Sequence, residues 1–314
     1  MTPEGHEVIE PEGPGGAGSG FRCGFVALVG RANVGKSTLM NRLVGAKLSI
    51  VSPVPQTTRF PVRGILHREN LQVVFIDTPG IHKPRYRMNE EMVRLTTRLL
   101  HEVDVVAILV DASEGFGPGD RFVFDLLRQA GSVNLLVLNK VDLMAKERLL
   151  PLMEEAGGAG LFEEIVPVSA LQGDNCDRLE QVIIGKMPPG PPHFPPEMLS
   201  DLPQRLAIAE IIREQVFLQT REEVPHATAV LIDSLETDPG GLVRIAATIL
   251  AERDSHKAIL IGERGRMMKA VGTAARHRLE EFLASRVHLT LWVKVRGGWR
   301  DDLSVLRLIG LPLP

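Results

Sequence analysis

The chain has 314 residues, 44% of them apolar, and a formal net charge of -3. This length accommodates two domains with separate cores, and the near-neutral charge excludes a surface that attracts polyanions everywhere, so a nucleic-acid site would have to be a local basic patch. Cys23 and Cys176 are the two cysteines and stand far apart, which excludes a disulfide scaffold and a zinc site and fits a reducing compartment.

Residues 1–20 lack a basic segment followed by an apolar core, and read as a flexible Gly/Pro/Glu tail rather than a targeting peptide. The apolar run 25–29 leads into Gly30-Arg31-Ala32-Asn33-Val34-Gly35-Lys36-Ser37, and Thr38 opens a helix-like stretch. Gly30 and Gly35 permit a turn whose backbone N–H groups converge on phosphate oxygens. Lys36 is placed to reach the β and γ phosphates, and the Ser37 hydroxyl to ligate Mg²⁺. The segment 48–60, rich in Ser, Thr and Pro, has neither helical nor strand period and reads as a mobile loop.

The runs 62–66 and 71–76 predict an antiparallel hairpin ending at Asp77-Thr78-Pro79-Gly80. A carboxylate behind Mg²⁺ and a glycine N–H facing the γ-phosphate are expected there. A helix over 88–102, a buried strand over 103–110, a helix over 120–129 and a strand over 133–138 follow. Their alternation predicts a mostly parallel, doubly wound α/β sheet with ligands at the carboxyl ends of its strands. The run 103–110, the longest apolar one, is interrupted by Asp104 and too short to span a bilayer, so a soluble, cytoplasmic protein is expected.

Two strand ends carry Asn139-Lys140-Val141-Asp142 and, after 165–168, Ser169-Ala170-Leu171. The Asp142 carboxylate can accept the N1–H and the exocyclic amine of guanine, a donor pair that adenine lacks. Asn139 is expected to tie the loops together, the Lys140 stem to cover the ring face, and backbone N–H groups of 169–171 to meet the guanine O6. GTP and GDP are the expected ligands.

Six prolines and one glycine in 187–196 mark a boundary. We expect a tail over 1–20, a nucleotide domain over 21–186, a linker over 187–204 and a second domain over 205–314. The second domain predicts an amphipathic helix over 206–220, strands over 227–235 and 242–251, helices over 256–261 and 266–284, and a strand over 287–295. Its helix, strand, strand, helix, helix, strand order describes a small α+β unit. Trp292 faces outward on the last strand, where it could stack on a base, with cover by the segment 301–308 as the expected role.

The motif order resembles the translation-factor class of GTPases and, more narrowly, the group containing Era, EngA and TrmE. Gln56-Thr57-Thr58-Arg59 is similar to the switch I motif of that group, which implies Thr58 as a Mg²⁺ ligand. Asp77-Thr78-Pro79-Gly80-Ile81-His82-Lys83-Pro84 is similar to Era's switch II. Ras-like enzymes carry a water-orienting glutamine after Asp-x-x-Gly. Ile81 stands there instead, so catalysis falls on Lys36, Mg²⁺, the Gly80 N–H and an added cation or partner. The resemblance implies that Asn33 helps hold K⁺ against the phosphates, with plain turn stabilisation as the alternative. Ala32 departs from the proline common in the family. Arg59, Arg63, Arg85 and Arg87 are expected to be solvated.

Gly262-Glu263-Arg264-Gly265 between two helices, with Ile259-Leu260-Ile261 before it and Trp292-Val293-Lys294-Val295 later, resembles the type II KH domain of the Era family. This implies RNA contacts from Gly262, Glu263, Arg264, Gly265, Arg266 and Lys269. Arg264, Arg266, Lys269, Arg276 and Arg278, with no acid among them, are the local basic patch. The resemblance implies a GTPase that binds the 3′ end of 16S ribosomal RNA and assists assembly of the small ribosomal subunit. It also implies a monomer, slow alone and stimulated by K⁺ or a partner, with some peripheral association at the inner face of the cell membrane. A GTP-regulated interaction module with negligible turnover, whose KH-like domain binds protein, is the rival that Ile81 keeps open.

Overall fold

The computed structural model describes residues 20–52, 57–81, 86–128 and 132–313. The tail 1–19, Gln56, and His82, Lys83, Pro84 and Arg85 lie outside these residues. Strands β1 (Arg22–Gly30), β2 (Val62–Arg68), β3 (Leu71–Asp77), β4 (Val105–Asp111), β5 (Val133–Asn139) and β6 (Glu164–Pro167) form one sheet in the order β2-β3-β1-β4-β5-β6. Only the β2–β3 hairpin is antiparallel. Its turn is the two residues Glu69 and Asn70, with Asn70 at φ 59°, a conformation asparagine tolerates. β4 is buried along its whole length because helices cover both sheet faces.

Helices α1 (Lys36–Val44), α2 (Arg87–Leu99), α3 (Pro118–Leu127), α4 (Leu149–Gly157) and α5 (Cys176–Lys186) flank this sheet. The last two were not legible in the sequence. α4 starts after Arg148, which provides no side-chain cap, and Asn175 before α5 is left-handed and donates to Pro167 O at 2.7 Å instead of capping the helix.

The proline-rich segment is a strap on the sheet. Gln72, wholly buried on β3, accepts from His193 N (2.7 Å) and Phe194 N (3.1 Å) and donates to Phe194 O (2.8 Å). Further along, Ile65 N donates to Leu199 O at 2.9 Å.

The second sheet, β7 (Thr228–Thr237), β8 (Val243–Ala251) and β9 (Val287–Val295), has the order β7-β8-β9, antiparallel then parallel. With it pack α6 (Gln204–Gln219), α7 (Asp254–Ile261), α8 (Arg266–Leu283) and α9 (Leu303–Leu308). The amphipathic reading of α6 needs correction: Ile212, Arg213, Glu214, Gln215, Val216 and Phe217 are all buried. The helix is clamped between the second sheet and residues Lys47, Val51 and Thr57, with Lys47 pairing with Glu214 at 2.8 Å. Leu250 on β8 is also buried, because α9 and Trp299 cover part of that sheet's outer face, and Thr248 is buried with its hydroxyl donating to Asp233.

One aromatic assignment changes as well. Trp292 is 48% exposed, while the buried tryptophan is Trp299, whose Nε1 donates to Ala227 O at 3.2 Å. Among the described residues no helix is long and apolar enough to cross a membrane.

Candidate functional site

The loop between β1 and α1 is closely packed by its neighbours. Gly35, at φ 99°, lies so close to Asn139 that a Cβ there would fall 2.2 Å from Nδ2. A Cβ on Gly80 would come within 2.8 Å of the Ala32 backbone, so glycine is what lets the segment after β3 approach the loop. Asn33 sits at φ 65° on the exposed rim, with its neighbours Ala32 and Val34 inside the same turn. Lys36 is buried, and its Nζ donates to Gly30 O (3.2 Å) and Arg31 O (2.7 Å). Burial pushes its ammonium down to about 8, with nearby Asp77 opposing the shift.

Ser37, Thr58 and Asp77 converge from three elements. The Ser37 hydroxyl donates to Asp77 Oδ2 (2.7 Å), the Thr58 hydroxyl donates to the same oxygen (3.1 Å), and the two hydroxyls are 3.2 Å apart. Burial raises the Asp77 pKa, and Lys36 and the two hydroxyls partly offset it. Its other oxygen, Oδ1, is buried and makes no hydrogen bond of ordinary length. An all-oxygen set of two hydroxyls backed by a carboxylate fits a hard cation such as Mg²⁺. Asn33, Lys36, Ser37, Thr38, Thr58 and Gly80 line one cleft.

The base-side residues are tied into this cleft. Asn139 Nδ2 donates to Val34 O (2.7 Å), and its Oδ1 accepts from Ala170 N (2.9 Å). Ser169 N donates to Asp174 O at 3.0 Å, so two of the three amides expected to meet O6 are engaged inside the protein. Lys140, at φ 64°, pairs with Asp111 at 2.6 Å, while Asp142 and Leu171 are exposed. Thr78 is buried, its hydroxyl donating to Leu28 O at 2.8 Å; Ile81 is buried too, its N–H donating to Gly30 O at 3.1 Å. The sequence reading missed that Arg31 leaves the loop to pair with Asp120 at 3.0 Å, a buried carboxylate that also accepts from Gly117 N at 2.9 Å.

The arginines expected to be solvated are not all so. Arg59 is 4% exposed; its Nη2 reaches Pro225 O and His226 O, both at 3.4 Å. Arg63 and Arg87 are exposed as expected, Arg63 pairing with Asp201 at 2.5 Å and the backbone N–H of Arg87 donating to Asp301 at 2.9 Å. Arg213, unnoticed as a functional residue, donates to Thr57 O, adjoining Thr58, and pairs with Glu210.

On the second domain, Gly265, Lys269, Gly272, Arg276, Leu291 and Trp292 belong to a groove of about 550 Å³. The basic patch is smaller than the sequence implied. Arg266 pairs with Glu263, Arg276 with Glu280 and Arg278 with Glu281, all one helical turn away or less. Arg264 (φ 52°) and Lys269 form no ion pair among the described residues. Gly262 has φ 70°, and a Cβ there would meet Met267 Cβ at 2.7 Å, whereas a Cβ on Gly265 would enter open space.

The profile of a family described as "50S ribosome-binding GTPase" matches residues 25–140, and that of the KH domain matches residues 223–300. The curated GTPase Era of Alkaliphilus metalliredigens is 44% identical over 291 residues, spanning 92% of this chain and 99% of that protein. That of Geobacter metallireducens is 47% identical, spanning 92% and 98%. An Aquifex aeolicus Era variant bound to GDP·AlF4⁻ superposes with a TM-score of 0.90 at 39% identity, covering 93% of this chain and all (100%) of that one. Era in complex with MgGDPNP and nucleotides 1506–1542 of 16S ribosomal RNA superposes at 0.91 and 40% identity, with the same coverage of 93% and 100%. A chain that pairs this phosphate-loop sheet with this KH unit, and aligns with such relatives over nearly their whole length, belongs to the Era family of GTPases.

Proposed function

We propose that the protein is a GTP-hydrolysing switch that binds the 3′ end of small-subunit ribosomal RNA and assists assembly of the small (30S) subunit in the cytoplasm. The observation that carries this reading is the packing of one unit on the other. The backbone of Thr57, next to the candidate metal ligand Thr58, is held by Arg213 of α6, so the nucleotide cleft and the RNA unit share a wall. The units are 21–186 and 205–314, joined by the strap 187–204. Monomeric action and peripheral contact with the inner face of the cell membrane rest on family resemblance alone.

Ser37 and Thr58 hold Mg²⁺, with Asp77 orienting both hydroxyls. When bound, Mg²⁺ neutralises charge on the β and γ phosphates. Lys36 supplies a second positive charge, the Gly80 amide faces the γ-phosphate, and Asp142 selects guanine. Buried Ile81 orients no water, so hydrolysis is slow alone. Asn33 at the loop rim is the protein's contribution to a K⁺ site. Hydrolysis is expected to rise when K⁺ replaces Na⁺, and equal rates would remove the cation from the mechanism.

Turnover is measured with and without small ribosomal subunits, alongside RNA retention by the parent and Gly265→Asp. Aspartate tolerates the left-handed backbone better than most residues and puts a carboxylate in the phosphate path. Stimulation by subunits and loss of RNA in the variant are expected. Neither stimulation nor RNA retention by the parent would favour the protein-binding module.

A further inference from the structure

β9 is the edge strand of its sheet, and its side chains alternate. Val287, Leu289, Leu291 and Val293 pack on the core beneath α6 and α8, which leaves His288, Thr290, Trp292 and Lys294 on the opposite face. Trp292 stands in register with Thr248, a buried residue whose hydroxyl donates to Asp233 at 2.8 Å. The neighbouring rung, Leu250 with Lys294, lies where α9 and Trp299 begin to cover the sheet. Trp292 lies outside that cover, with almost half of its surface in water (48% exposed). It also belongs to the wall of the groove that contains Gly265 and Lys269.

A half-exposed tryptophan at the lip of a groove with a small-residue floor and a lysine that makes no ion pair among the described residues has the chemistry of a base-stacking site. An indole face accepts any base, and cationic neighbours follow the phosphates. We propose that Trp292 stacks on a base of the single-stranded RNA that crosses the Gly262–Gly265 loop, at the point where the strand leaves the groove around the edge of β9. Lys294, two residues along the same face and without an ion pair among the described residues, neutralises the phosphate that follows. The inference rests on the RNA-binding reading and adds a second contact beyond the glycine loop. Stacking rather than hydrogen bonding means that this contact tolerates any base.

The chain has two tryptophans, and Trp299 is wholly buried (0% exposed), so a change in tryptophan emission on adding RNA reports on Trp292. The parent, Trp292→Phe, Trp292→Leu and Gly265→Asp are titrated with a single-stranded RNA of the small-subunit 3′ end, following emission and, separately, RNA retention. The parent is expected to be quenched, Trp292→Phe to bind nearly as the parent does, and Trp292→Leu to bind about 10-fold more weakly. No quenching, with Trp292→Leu binding like the parent while Gly265→Asp fails to bind, would overturn the stacking role and leave RNA binding intact. If Gly265→Asp also binds normally, the RNA-binding reading itself fails. Quenching by a protein partner but not by RNA would overturn the proposal in favour of a protein-binding face.

Discussion

The Arg59 guanidinium lies over the Trp299 ring, 5.3 Å from its centroid. The residue that follows Thr58 in the switch I motif is thereby fixed by the segment that closes the KH unit, some 240 positions away in sequence. Arg300, beside Trp299, lies over the Tyr86 ring at 3.7 Å, so the start of α2 is held from the same side. Both flanks of the nucleotide cleft therefore lean on the C-terminal unit.

Removing the first of these contacts tests the linkage. Arg59→Ala removes a donor from the Pro225 and His226 carbonyls, the first of which keeps the Thr228 hydroxyl at 3.0 Å, and uncovers the ring. We expect a loss of about 2 kcal/mol in urea unfolding, together with weaker dependence of RNA binding on added GTP analogue. Unchanged stability would mean that the contact is incidental.

Asn139 and Asp142 sit three residues apart and should behave differently. Asn139→Ala breaks the buried bonds to Val34 and Ala170. It should cost about 2–3 kcal/mol of stability as well as nucleotide affinity. Asp142 is exposed, so Asp142→Asn should leave the unfolding midpoint alone and shift preference from guanine to xanthine nucleotides in a competition titration. Retained GTP selectivity would take the base contact away from Asp142.

Metal dependence follows from the Ser37–Asp77 pair. Chelating Mg²⁺ should weaken GTP binding by the parent, and Ser37→Ala should already bind GTP weakly and respond little to the chelator. A variant with the parent's full response would place Mg²⁺ on other ligands.

The unit interface also sets a pH dependence. Burial, reinforced by Arg59, Arg300 and Arg213, pushes the His226 pKa below 6.5. As pH falls through 6.5 the unfolded chain takes up the proton first, so stability is lost on the acid side and the loss ends below the lowered native value. Phe217 packs edge-on to the His226 ring at 5.8 Å, so His226→Phe keeps an aromatic there. Comparing urea midpoints at pH 7.5 and 5.5, the variant should lose less stability than the parent. An equal loss would assign the acid sensitivity to other groups.

Much of the nucleotide cleft was legible because its chemistry is local. A glycine-bounded loop, a strand-end carboxylate and an Asn-Lys-x-Asp sequence each act through residues a few positions apart, and strands β1 to β5 announce themselves by short apolar runs. The order of elements in the second unit was legible for the same reason. Two helices flanking the first sheet were not anticipated, and in the structure neither is capped by a side chain at its start.

What the sequence alone determined is the candidates for phosphate, metal and base chemistry, since these follow from residue type and short spacing. The tertiary structure decided which charges are available. Arg59 is buried under Trp299, three of the five cations after Gly262 are neutralised by glutamates on the same helical surface, and the proline-rich segment is pinned by Gln72. A charge or a ring is usable only if nothing else in space has claimed it, and those claims come from residues distant in the chain or on the next helical turn. That is why the loop could be read directly, while the exposed tryptophan and the true extent of the basic patch could not.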